Sequence, residues 1–151
     1  MGQSLARIYV HIVFHVKLNK LLILPEDRPD LFAYVGSILR ERDSMPIRIN
    51  GVGDHIHILC SLSKKIAACD LLEDIKRHSS RWIKTRSEYY KKFAWQGGYG
   101  CFSVSPSLLE VTKSYIDQQE AHHKKVTFEE ELISFLKEYG LDYDIRYLFK
   151  D

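Results

Sequence analysis

The chain has 151 residues, enough for one domain with a sizeable core, and its 45% apolar and 28% charged content excludes a disordered polymer. A formal net charge of +2 leaves any basic surface to be local. Cys60, Cys69 and Cys101 are scattered without a C-x-x-C, which excludes a disulfide framework and a zinc knuckle.

Ala6 to Val16 reads as a strand, with Ile8, Val10, Ile12, Phe14 and Val16 on one face and Tyr9, His11, Val13 and His15 on the other. A helix is expected from about Glu26 to Arg42, striped by Leu31, Tyr34, Val35, Ile38 and Leu39. Pro46 to Val52 is a second strand; Gly51 and Gly53 permit a tight turn into a third, His55 to Leu62. The next helix runs from about Ala67 to Arg86. Leu71, Leu72, Ile75, Trp82 and Ile83 fall in one sector of it, and Arg77, Arg81 and Lys84 nearly opposite. That basic stripe is either a solvated face matched to the helix dipole or a track for phosphates.

Phe93 to Ser105 is rich in aromatics and glycine, with a turn at Gly97-Gly98 and a fourth strand at Cys101 to Val104. Its aromatics can stack bases or pack in a core. A helix from Ser107 to about His123 is expected, opened by a Ser107/Glu110 capping box; a Thr127/Glu130 box opens a last helix stopped at Gly140. Leu141 to Asp151 is too short for a domain, so residues 1–151 are expected to form a single one. No apolar run can span a bilayer and the first residues lack a signal-peptide pattern, so a cytoplasmic setting without a membrane partner is expected.

The order β-α-β-β-α-β predicts an α+β fold with a ferredoxin-like (RRM-like) antiparallel sheet and added C-terminal helices. Its first and third strands would be central and adjacent. His11 and His15 would then share a face with His55 and His57, a face left open for function or covered by the added helices.

Two stretches carry chemistry. In Gly53-Asp54-His55-Ile56-His57-Ile58-Leu59 the alternation of an extended chain turns His55 and His57 to one side, with Cα atoms about 6.6–6.8 Å apart, so that both imidazoles can reach one divalent metal. Seven histidines make one such pair unsurprising by chance, and imidazole suits several metals. In Tyr115-Ile116-Asp117-Gln118-Gln119, Tyr115 and Gln119 sit one helical turn apart with His122 near the same line. A metal on the histidines would polarise a phosphate oxygen, Gln119 could complete the ligands, and attack by Tyr115 would leave a covalent phosphotyrosine. The ring nitrogens not bound to metal would need further partners, which the sequence does not identify.

The chain resembles the IS200/IS605-family single-tyrosine transposases, the small His-hydrophobic-His DNA-nicking enzymes of insertion sequences. The resemblance rests on Tyr9-Val10-His11-Ile12-Val13-Phe14, Gly53-Asp54-His55-Ile56-His57, Lys76 to Lys84, Trp95-Gln96-Gly97-Gly98-Tyr99-Gly100, Phe102-Ser103-Val104-Ser105, Tyr115-Ile116 with Gln119 and His122-His123, and Arg146-Tyr147-Leu148-Phe149, in that order. It implies cleavage and rejoining of single-stranded DNA at insertion-sequence ends, with recognition of end hairpins. It further implies Tyr115 as nucleophile, a 5′-phosphotyrosine, His55, His57 and Gln119 holding Mg²⁺ or Mn²⁺, and a homodimer. Arg77, Arg81, Lys84, Lys91 and Lys92 are candidate DNA contacts. Three other readings stand beside it: a non-catalytic ferredoxin-like nucleic-acid-binding module, a hydrolase using His55, His57 and His122 or His123 with water as nucleophile, and a domesticated nicking relative.

Overall fold

Alternating apolar side chains give four strands: Ile8–His15 (β1), Met45–Gly51 (β2), His55–Leu62 (β3) and Gly100–Val104 (β4). The computed structural model describes residues 2–17 and 21–149; the last two residues of the tail expected from Leu141 to Asp151 lie outside these. The sheet order is β2-β3-β1-β4 and every neighbouring pair is antiparallel, the expected ferredoxin-like arrangement with β1 and β3 in the middle. A bulge between Pro46 and Arg48 interrupts β2 at the sheet edge.

Helices Arg28–Glu41 (α1) and Ala68–Lys84 (α2) cover one face, burying Leu31, Val35, Leu71 and Ile75 against Ile12, Phe14, Ile56 and Ile58. A short 3-10 turn, Pro25–Asp27, precedes α1. The other face meets Leu109–Asp117 (α3), the single turn Gln119–His122 (α4), Phe128–Glu138 (α5) and Ile145–Leu148 (α6). Val13 and Phe102 pack there against Phe128, Leu132 and Leu136 of α5. The added helices therefore cover the face that carries the histidines. No helix among the described residues is long and apolar enough to cross a membrane.

Two local expectations need correction. The Ser107/Glu110 capping box does not form: the Ser107 hydroxyl lies 3.0 Å from that of Ser105, and Glu110 instead accepts a hydrogen bond from Lys113 at 2.9 Å. A 3-10 turn at Pro106–Leu108 leads into α3 in its place, since proline suits a first turn where its missing N–H is not needed. Nor is the helix continuous to His123. It breaks at Gln118 (φ −100°, ψ 19°), and the break drops Gln119 into the interior. The Thr127/Glu130 box is formed on both sides, and α5 is followed by Gly140 in the left-handed region.

The turn between β2 and β3 sets where His55 begins. At Gly51 a Cβ would lie 2.3 Å from the His55 carbonyl oxygen, a backbone atom that cannot swing aside. Gly51→Ala is expected to destabilise the fold by about 1–3 kcal/mol, as overpacking does. An unchanged denaturant midpoint would show that the turn tolerates a side chain.

Candidate metal and tyrosine site

The β1–β3 register places Val13 opposite His57 and His15 opposite His55, so His11, His15, His55 and His57 share the sheet face under α3 and α5. All four are buried, His55 and His57 completely. Each of the latter two is oriented from behind. The His55 Nδ1 lies 2.7 Å from Asp54 Oδ1, and the His57 Nδ1 lies 2.7 Å from His11 Nε2. These are the rear partners that a metal-binding histidine requires. With both Nδ1 atoms engaged, both Nε2 atoms point to one place.

Glu131 of α5 occupies that place. Its Oε1 is 2.9 Å from His57 Nε2 and 3.5 Å from His55 Nε2. Its Oε2 accepts the Tyr115 hydroxyl and lies 3.2 Å from the Nε2 atoms of both His122 and His123. Donor atoms of His55, His57, His123 and Glu131 all fall within 4.8 Å of one another, a group that could hold a divalent ion. Gln119 is fully buried, its Oε1 3.3 Å from His55 Nε2 and its Nε2 donating to the Tyr115 carbonyl at 3.3 Å. The structure thus brings His55, His57, Tyr115 and Gln119 together. Asn50 Nδ2 fixes α3, which carries Tyr115, to β2 by donating to the Ile116 carbonyl at 2.8 Å.

The basic candidates are not part of this cluster. Arg77, Arg81 and Lys84 are exposed on α2, which packs on the far face of the sheet, and Lys91 and Lys92 are exposed just beyond it. Arg77 is already paired with Asp74 at 2.9 Å. Of the aromatics weighed for base stacking, Phe93 and Phe102 are buried in the two cores and Trp95 donates to Ser79 Oγ at 3.0 Å; Tyr99 alone among the four is exposed. Glu131 was the residue that sequence reasoning missed. The signal was available: Phe128, Glu131, Leu132, Phe135 and Leu136 follow the i, i+3, i+4, i+7, i+8 pattern of a buried stripe, with an acid inside it.

Burial dominates the electrostatics. It lowers His11 to about 3, helped by the neighbouring His57. It lowers His57 to about 4 against the opposing pull of Glu131. Burial would raise Glu131, but hydrogen bonds from His123 and His57 hold it well below the usual carboxylate range. Burial would lower His123, yet its bond to Glu131 raises it. Burial, then Glu131, pushes the Tyr115 phenol above its ordinary 10.0. Below the ordinary histidine value of 6.5 the unfolded chain protonates while His57 and His11 stay neutral, so folding then releases protons and stability falls with falling pH. The contribution of His123 has the opposite sign and fades only as pH rises through its raised value. The midpoint of the metal-free protein is therefore expected to fall between pH 6.5 and about 4, each of the two histidines contributing up to ~1.4 kcal/mol per pH unit. A flat midpoint across that window would contradict neutral, buried imidazoles.

Comparison with known proteins supplies the family and supports the fold. The family described as "Transposase IS200 like" matches residues 4–119. No curated protein matches the sequence. Among solved structures, a protein of Deinococcus radiodurans R1 assigned as a transposase is similar at a TM-score of 0.61 and 16% identity, covering 79% of this chain and 96% of its own. A REP-associated tyrosine transposase bound to a REP hairpin is similar at 0.60 and 12% identity, covering 96% and 93%. These likenesses carry the fold, and the sequence match carries the family: the chain belongs to the IS200-like transposases.

Proposed function

We propose that this transposase cleaves and rejoins single-stranded DNA at insertion-sequence ends through a 5′-phosphotyrosine on Tyr115, with a divalent cation, Mg²⁺ or Mn²⁺, held by His55, His57 and Gln119. One observation carries the reading: the Tyr115 hydroxyl and the two Nε2 atoms meet on a single carboxylate, so nucleophile and metal-ligating groups are neighbours in one chain. The donor set fits such a cation, since both rear nitrogens are partnered and both front nitrogens converge. When bound, the cation supplies Lewis-acid polarisation of the scissile phosphate.

Tyr115 is half-buried at the wall of a groove between α3 and α5 that His11, Phe135 and Tyr139 also line, which leaves a route to its hydroxyl. In the step itself the phenol oxygen forms a bond to phosphorus as the bond to the 3′ oxygen breaks. The phenol gives up its proton and the departing 3′ oxygen takes one, so the products are an ester on Tyr115 and a free 3′-hydroxyl, and reversal rejoins the strand. Burial and Glu131 hold the phenol protonated in the free protein, and a cation bound beside it would supply positive charge that offsets this. Tyr115 lies beside its own chain's histidines, ring centroids 5.8 Å apart for His57, and the homodimer is proposed from the family resemblance alone. The unpaired thiols of Cys60, Cys69 and Cys101 suit a cytoplasmic protein. Hairpin recognition is proposed by likeness to the hairpin-bound neighbour, and the chain is proposed to act as the single domain expected above.

On denaturing gels, single-stranded oligonucleotides from the DNA flanking the gene are expected to give a protein–DNA adduct with Mg²⁺ or Mn²⁺. Tyr115→Phe is expected to abolish it. Cleavage that survives Tyr115→Phe without an adduct would establish the water-dependent hydrolase instead, a reading that the position of His123 beside Glu131 favours. Binding of hairpin-containing ends without cleavage would establish a binding module. Arg81→Ala and Lys84→Ala are each expected to weaken binding and reduce the salt slope by roughly 0.7, the value for one phosphate contact on a single strand. An unchanged slope would remove that residue from the DNA footprint.

A further inference from the structure

Building on the nicking reading, we propose that Glu131 is itself a ligand of the cation, through Oε1, and that its Oε2 holds Tyr115, so that one carboxylate fixes the nucleophile beside the metal. The geometry is already laid out. Oε1 faces the two Nε2 atoms at 2.9 and 3.5 Å, and Oε2 faces the phenol. Binding through one oxygen leaves the other free to keep its bond to Tyr115.

The placement is a built one. Glu131 is 3% exposed and sits in the apolar stripe of α5, where a carboxylate without partners would be expelled. A hard divalent cation prefers a charged oxygen over a neutral one, and Gln119 offers only the neutral carbonyl of an amide. His123 Nε2, 3.2 Å from Oε2, adds a third imidazole to the surroundings. Helix α5 begins at Phe128, after the segment that matches the family ends at residue 119. The ligand therefore comes from the C-terminal layer, and a bound cation ties that layer to the sheet. A donor set rich in imidazole also sets preference. Mg²⁺ demands near-octahedral oxygen coordination and keeps its waters, whereas Mn²⁺ accepts mixed nitrogen and oxygen ligands, so Mn²⁺ is the better occupant.

Calorimetric titration of the full chain with MnCl₂ and MgCl₂, without DNA, tests the ligand. Wild type is expected to bind Mn²⁺ more tightly than Mg²⁺, and Glu131→Gln to weaken Mn²⁺ binding at least about tenfold. At saturating Mn²⁺, Glu131→Gln is also expected to give less adduct, because Tyr115 then faces a neutral amide in place of the carboxylate that accepts its hydroxyl. Glu131→Asp keeps the charge and covers the case in which Glu131→Gln does not fold; it is expected to retain part of the affinity. Unchanged Mn²⁺ affinity in either folded variant, or tighter binding in Glu131→Gln, would overturn the assignment. The titration is independent of the nicking reading. A wild type that binds Mn²⁺ through Glu131 yet forms no adduct would keep this ligand and overturn the nicking reading, whereas an adduct with Glu131-independent metal binding would do the reverse.

Discussion

The pairing of β1 with β3 is the constraint on which the rest of the molecule depends. Its register sets Val13 against His57 and His15 against His55 while Ile12 and Ile58 meet on the opposite face. Side chains alternate along a strand, so a slip by one residue would bury the imidazoles under α1 and α2 and turn the isoleucines toward α5. The register is held by that cost. One face demands Ile12, Phe14, Ile56 and Ile58 for the main core; the other takes what remains, four histidines with Val13 and Leu59 between them. The candidate site is in this sense the reverse side of the hydrophobic core.

Once the histidines share a face, their rear contacts decide what they can do. Asp54, on the turn before β3, and His11, on the neighbouring strand, occupy the Nδ1 positions and leave the Nε2 atoms convergent. Such a cluster would be costly if its imidazoles were all charged. Burial keeps His11 and His57 neutral, and the buried carboxylate of Glu131 balances what charge remains. That carboxylate also joins two layers: α5 is anchored to the sheet by Phe128, Leu132 and Leu136 on apolar contacts and by Glu131 on polar ones. The tyrosine of α3 is drawn to the same point. Packing brings the layers together, and the polar cluster selects how they are aligned.

Much of this was legible in the sequence because it rests on short-range patterns. Period-two alternation located β1 and β3, and the β3 limits, His55 to Leu62, are those read from the chain. The Thr127/Glu130 box and Gly140 marked the two ends of α5. What failed was also local. Ser107 had a nearer partner in Ser105, and the break at Gln118 follows from the tertiary demand that Gln119 turn inward, which no helical propensity encodes. The site was half legible. His55, His57, Tyr115 and Gln119 were found by motif and by resemblance, but Glu131 and the rear partner His11 join the site only through contacts across 74 and 46 residues. An acid inside an apolar stripe is a visible anomaly, yet its meaning depends on what the fold sets opposite to it.

The most direct test of the account is to locate the covalent bond itself. The protein would be incubated with Mn²⁺ and single-stranded DNA from the ends of its element, digested with nuclease and protease, and its peptides weighed by mass spectrometry. The account predicts a residual nucleotide 5′-phosphate on the peptide carrying Tyr115, at the tyrosine. DNA cut with no modified peptide, or a nucleotide on any other side chain, would contradict it.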